Sequence, residues 1–191
     1  MFDPLEELAS WREEARRGGA LEPDAMVVAT ATTAATPSAR VVLCRGIDAC
    51  GVSFFTNYES RKGNELSLNP QAAAVFFWPS LGKQVRLEGQ VEKLPALESD
   101  RYFAQRPRTH RLQSWASSQS RPIADFAGVQ ARHVEFDSLY RDKEVPRPPW
   151  WGGYRLMPAV IELWENGEFR LHSRRVFHRE GEGWRLELLA P

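Results

Sequence analysis

The run "KQVRLEGQVEKL", residues 83–94, constrains the fold more than any other stretch of the chain. Val85, Leu87, Gly89 and Val91 alternate with Arg86, Glu88, Gln90 and Glu92. A period of two sends successive side chains to opposite faces, so the run reads as a strand with one buried face and one wet face. Sheets with a solvated face are antiparallel. Similar strand-sized runs crowd the sequence. "AMVVATAT" and "ARVVLCRG" flank a Thr/Ala/Pro/Ser segment and read as two strands joined by a turn, and "GVSFFTN" and "AAAVFFWP" supply two more. The C-terminal region, from about residue 152 to 191, reads as a meander of "YRLMPAVIELWE", "FRLHSRRVFHRE" and "GWRLELLA". Its turns fall at Asn166-Gly167 and Glu182-Gly183.

Helices are expected at the edges. In residues 3–17, Leu5, Leu8, Trp11 and Ala15 recur at helical spacing, with Asp3 as cap, Pro4 in the first turn and Gly18-Gly19 at the end. "SRKGNELSLNP" reads as a short helix stopped at Asn69-Pro70, and Leu97–Arg106 as another, interrupted by Pro107. "RPIADFAGVQARHVEFDSLYRD" is helical, in one or two pieces, and "KEVPRPPWWGGYR" is an extended connection over the surface. Many short strands with peripheral helices favour an antiparallel barrel over βαβ units. No repeat or linker divides the chain, so residues 1–191 are expected to form a single domain.

Composition narrows the function. Lys plus Arg and Asp plus Glu are both 25, so no global field favours nucleic acid or an acidic membrane surface, and anion recognition must be local. No apolar run approaches a membrane span, and the acidic, amphipathic N-terminus lacks the order of a secretory signal, which makes a cytoplasmic location the expectation. Cys44 and Cys50 have neither CxxC nor metal-ligand spacing and read as thiols. His110, His133, His172 and His178 are dispersed, so no metal site is expected. GxGxxG, Walker and GxSxG motifs are absent, and the serines of "SWASSQS" have no evident base, reading as a polar loop. The seven tryptophans suit a core, a flat aromatic ligand or a dimer interface.

What remains is a set of local basic clusters. In "TNYESRKGNEL", Ser60, Arg61 and Lys62 stand between a strand and a helix. They are either solvated loop charge or an anion seat, where cations, a hydroxyl and the first helical amides converge on a phosphate. Arg40 and Arg45 mark the two ends of one strand, on opposite faces if it is regular. Further basic groups are Lys83, Gln84 and Arg86, and Arg101, Arg106 and Arg108. Arg170, His172 and Arg174 alternate, which would aim three donors from one strand face and points to a ligand.

In order, "RVVLCRG", "FFTNYESRKG", "NP", "KQVRLEGQVEKL", "YFAQRPR", "WASSQS", "VPRPPWWGGYR", "IELWENGEFRLHSR" and the terminal "LAP" resemble the pyridoxamine 5'-phosphate oxidase family, from about Glu22 to Pro191. The resemblance implies a mainly β fold with peripheral helices: the FMN-binding split barrel, antiparallel and of Greek-key type. It implies a homodimer with FMN in a cleft between subunits and a phosphorylated B6 vitamer as substrate. Arg40, Arg61 and Lys62 are similar to the FMN phosphate ligands, with Arg45 beside them. Phe55 and Thr56 would lie along the flavin, Gln84 would hydrogen-bond its ring, and Gln119 and Ser120 would arrive from the other subunit. Trp164 and Arg174 match the remaining cofactor positions. For the substrate, Tyr102 and Arg106 resemble the pair that grips the 5'-phosphate, with Arg45 and His110 nearby. Arg170 and His172 resemble the pair that covers the pyridine ring and would serve as catalytic residues.

The implied reaction is oxidation at C4' to pyridoxal 5'-phosphate, with dioxygen reduced to hydrogen peroxide. The sequence departs from the family pattern at Arg45, where lysine is usual, at His110, where serine is usual, and at Ser173, where aspartate is usual. Many members also carry a longer Arg- and Tyr-bearing segment ahead of the "FDPL" helix. Two alternatives stay open: an FMN-dependent oxidase of the phenazine-biosynthesis type, acting on another aromatic substrate, and a non-catalytic FMN or B6-phosphate binding protein.

Overall fold

The computed structural model describes residues 2–191. Its strands are β1 (Ala25–Ala31), β2 (Pro37–Leu43), β3 (Gly46–Asp48), β4 (Gly51–Asn57), β5 (Gln71–Trp78), β6 (Lys83–Lys93), β7 (Trp151–Glu165), β8 (Ser173–Glu180) and β9 (Gly183–Leu188). The helices are α1 (Pro4–Arg17), α2 (Arg61–Leu68), α3 (Ala96–Gln105), α4 (Arg108–Ala116) and α5 (Phe126–Leu139). All strands belong to one antiparallel sheet in the order β2-β1-β5-β6-β7-β4-β3, with β8 and β9 added beside β7. The sheet is a curled half-barrel.

β7 organises this sheet. One edge pairs with β6 from Tyr154 to Glu165. The other edge is shared: Trp151–Leu156 pairs with β4, and Val160–Glu165 pairs with β8. The register with β6 slips between Glu88 and Gly89, opposite Pro158. A bulge is where a sheet tolerates proline, because no ladder bond is lost. Gly89 is required there, since a Cβ would lie 2.1 Å from the Met157 carbonyl oxygen.

The alternating run behaves as its pattern dictates, burying Val85, Leu87, Gly89 and Val91. They join Met26, Val28, Phe54, Phe76, Trp78, Ile161 and Leu163 in the core. α1 closes the core with Leu5, Leu8, Trp11 and Ala15, each large side chain contributing roughly 2 kcal/mol by burial. Asp3 caps α1 by accepting from the Leu5 amide at 2.9 Å.

Several expectations need correction. Pro107 ends α3 but also precedes a second helix, α4, and the serine-bearing stretch is helical through Ala116. The "WWGGY" portion of the connection does not lie over the surface: Trp151–Tyr154 is buried and opens β7. β3 lies beyond the segments read as strands, and residues 121–142 hold one helix. Cys44 is buried and Cys50 exposed, both as free thiols. No helix among the described residues is long and apolar enough to cross a membrane.

Candidate functional site

β4 runs directly into the turn that starts α2, so the first residues of α2 lie beside Thr56. Ser60 caps the helix, its Oγ accepting from the Gly63 amide at 3.3 Å. Gly63 lets the first turn sit against the Tyr58 backbone, where a Cβ would meet the carbonyl oxygen at 2.1 Å. That seat drives Lys62 inward. Its Nζ donates to Thr56 Oγ1 at 2.8 Å and to Ser60 Oγ and Gln119 Oε1 at 3.4 Å, and the residue is only 7% exposed. All three partners are uncharged. Burial, and then the nearby charge of Arg40, pull the Lys62 pKa down to about 8.

Arg40 and Arg61 are held differently. The buried Glu65 carboxylate accepts from Arg61 Nε at 2.9 Å, from Ser38 Oγ at 2.6 Å and from the Thr30 hydroxyl, with Arg40 at 3.5 Å. Burial alone would raise its pKa, but the hydrogen bonds from Ser38, Thr30 and Arg61 outweigh it and hold Glu65 down to about 2. Arg40 also donates to Thr30 Oγ1 at 2.6 Å. Three cations thus stand against one carboxylate, leaving two net positive charges. A phosphate monoester carries about −1.5 to −2 at neutral pH, a charge of the same size. Of the three cations, Lys62 lines a large cleft, Arg61 lines an adjacent hollow, and Arg40, held by Thr30 and Glu65, lines neither.

A cleft of about 810 Å³ opens beside Lys62. Val41–Leu43 and Arg45, Phe55–Asn57, and Tyr102, Arg106 and His110 line it. Phe55, Tyr102 and Trp151 lie nearly parallel, with Phe55 and Tyr102 ring centroids 4.0 Å apart. The Arg106 guanidinium rests 4.6 Å over Trp151. Burial lowers its pKa, Tyr102 opposes that, and the charge of Arg45 adds to it. The cleft therefore has a cation at each of two separate places.

A second group stands apart. Gln84, Trp164 and Arg174 are neighbours in register across β6, β7 and β8. Trp164 packs on His172 with centroids 4.7 Å apart, and Arg174 Nε donates to Glu162 Oε1 at 2.7 Å. Arg170, His172 and Arg174 do not share a strand face, contrary to the alternation reading. Leu171 N donates to Glu168 O and His172 N to Arg170 O, both at 2.9 Å, so the turn consumes carbonyls that a ladder would need. Phe169 and Arg170 are left-handed, at φ 55° and 64°, and β8 begins only at Ser173. His172 Nδ1 instead accepts from the Gly167 amide at 3.3 Å. None of these residues lines the cleft within the same chain. Gln119, expected from a second subunit, already reaches Thr56 Oγ1 within its own chain at 3.1 Å. Ser120 lies beside Arg61 in an adjacent hollow of about 420 Å³.

Residues 12–139 match the pyridoxamine 5'-phosphate oxidase family, and residues 151–191 match the pyridoxine 5'-phosphate oxidase C-terminal dimerisation region. The chain belongs to the pyridoxamine 5'-phosphate oxidase family. The pyridoxine/pyridoxamine 5'-phosphate oxidase of Rubrobacter xylanophilus is 47% identical over 189 residues, covering 99% of this chain and 87% of the relative. That of a Cyanothece species is 46% identical, covering 99% and 89%. Among solved structures, PhzG from Burkholderia lata 383, in complex with tetrahydrophenazine-1-carboxylic acid, matches with a TM-score of 0.94 at 34% identity, over 99% of this chain and 93% of that one. A pyridoxamine 5'-phosphate oxidase-related, FMN binding protein from Nostoc punctiforme has a TM-score of 0.78 at 16% identity, over 100% of both chains, and shares the fold.

As a pyridoxamine 5'-phosphate oxidase family member, the chain carries cleft residues that sequence reasoning missed, among them Gln113 and Ser114. Both lie on α4, which was not anticipated. The signal was present: Leu112 and Ala116, four apart, are the buried residues of that helix. Glu65 and Glu162 were missed as well, because a glutamate in a charged pattern reads as solvated surface until its partners are placed.

Proposed function

We propose that this protein is an FMN-dependent oxidase converting pyridoxine and pyridoxamine 5'-phosphates to pyridoxal 5'-phosphate, with dioxygen as acceptor. One observation carries the reading. A single cleft is lined by two cations, Lys62 and Arg106, whose hydrogen-bond partners are separate and uncharged. Two phosphate-bearing molecules side by side need two such cations. Lys62, Arg61 and Arg40 would hold the FMN phosphate, with Phe55, Thr56 and Gln119 along the cofactor. Arg106, Tyr102, Arg45 and His110 would hold the substrate phosphate. The chemistry FMN supplies when bound is two-electron acceptance from C4'.

The second group of residues completes the site from another copy of the chain. Gln84, Trp164, Arg170, His172 and Arg174 lie outside the cleft of their own chain, and they sit at or near the end of the sheet that the dimerisation region includes. Val27, Val41 and Phe77 stand 41%, 65% and 57% exposed on one face of β1, β2 and β5, which supports burial against a second copy. Arg170 and His172 would cover the pyridine ring and orient C4'. The whole chain, 1–191, would act as one domain, and the two free thiols support a reducing, cytoplasmic setting.

The test is anaerobic mixing of the flavin-loaded protein with pyridoxine 5'-phosphate, followed by oxygen uptake. Substrate-dependent bleaching and peroxide formation are expected. A flavin-loaded dimer that neither bleaches nor consumes oxygen with any B6 phosphate refutes the assignment. Replacing Arg170 by Ala should lower turnover at least about a hundredfold while FMN affinity changes little, as for a group acting on the reacting carbon.

A second reading draws on the likeness to PhzG and on His110 and Ser173. The Arg45–Arg106 seat could take the carboxylate of a tricyclic aromatic acid. Bleaching by a phenazine precursor and not by a B6 phosphate would favour it.

A further inference from the structure

We propose that Ser114 is a positioning residue for the substrate phosphate, fixing the orientation of the Arg106 guanidinium. The inference rests on the B6-phosphate reading above. Arg106 leaves the C-terminal cap of α3, and Pro107 turns the chain into α4. An arginine at such a corner keeps several free rotations unless its head group is held.

Two contacts hold it. The flat face lies 4.6 Å over the Trp151 ring and 5.6 Å from the Phe103 centroid. Stacking fixes the plane but leaves rotation within it. The NH1 group donates to Ser114 Oγ at 2.7 Å, which stops that rotation. With that edge engaged, other N–H groups of the fork are available to an oxyanion in the cleft.

Ser114 is itself fixed. Its hydroxyl donates to the His110 carbonyl at 3.0 Å, so its oxygen lone pairs are left for Arg106. Its own carbonyl accepts from Trp150 Nε1 at 3.1 Å, tying α4 to the residue that leads into β7. Position 110 carries histidine where the family pattern has serine. One helical turn later on the same helix, Ser114 supplies a hydroxyl to the same cleft.

Ser114→Ala and Ser114→Thr in the FMN-loaded full chain test this. Pyridoxal 5'-phosphate and phosphate-free pyridoxal are titrated by absorbance, and KM and kcat are measured with pyridoxine 5'-phosphate. For Ser114→Ala, pyridoxal 5'-phosphate binding should weaken about five- to tenfold and KM should rise similarly, about the net value of one ordinary hydrogen bond. Pyridoxal binding and FMN affinity should change by less than about twofold, and Ser114→Thr should restore most of the loss. Equal losses for pyridoxal and pyridoxal 5'-phosphate would mark a structural role and overturn the proposal. So would an unchanged phosphate preference in Ser114→Ala where Arg106→Ala abolishes it. Unsubstituted protein that does not distinguish the two ligands would remove the substrate reading itself, and the role of Ser114 with it, before any substitution is made.

Discussion

At Lys62 an ammonium group sits almost out of water with two hydroxyls and an amide oxygen around its Nζ. Its pKa of about 8 lies below the 10.5 of an exposed lysine, so the unfolded chain holds an extra proton between those values. The FMN-free protein should therefore gain stability as pH rises from 8 to 10.5, since unfolding takes up that proton. Lys62→Met should raise FMN-free stability by up to about 3 kcal/mol at pH 7, shrinking below about 1 kcal/mol by pH 10, and should weaken FMN binding sharply. Urea melts of both proteins at the two pH values check this. Glu65 has the opposite sign. Its pKa of about 2 against 4.5 gives stability present above pH 4.5 and lost as pH falls toward 2. Glu65→Gln should lose up to about 3 kcal/mol at pH 7 and show a flatter acid melt between pH 5 and 2.

Among the elements, α2 is the one whose seat places Lys62 and Arg61. Gly63→Ala would force the first turn away from the Tyr58 carbonyl, carrying Lys62 and Arg61 with it. A loss of about 2–3 kcal/mol in thermal stability is expected, with FMN affinity down at least about tenfold, measured by melting and by fluorescence titration. α2 was legible in advance because Ser60 and Asn69-Pro70 punctuate it. β6 was legible because a period of two over eleven residues has no helical equivalent. Periodicity failed at "FRLHSRR" for a definable reason. Hydrogen bonds closed at the Glu168–Arg170 turn leave no trace in side-chain alternation, so alternation alone extends to Arg170 and His172 a strand that starts later. The contacts that orient the arginines were equally invisible, because Glu65 meets Arg40 only across 25 residues of chain.

For the whole molecule, the outward face of β1, β2 and β5 is the test of assembly. A Val27→Glu, Phe77→Glu double substitution should yield a monomer by light scattering, with FMN affinity reduced at least about a hundredfold, as burying two charges at a docked face is prohibitive. A monomer that binds FMN with full affinity would refute a site completed by a second copy.

β7 adds a geometric consequence. Because β4 and β8 dock end to end on one of its edges, the strand works as a ruler between the Trp151 cleft and the Trp164 group. Its graduation is the residue count from Trp151 to Trp164, and its one vernier is the slip at Pro158. Insertions elsewhere on the surface leave that spacing untouched, whereas one residue gained or lost inside β7 would turn Trp164 inside out and put both ends out of gauge at once.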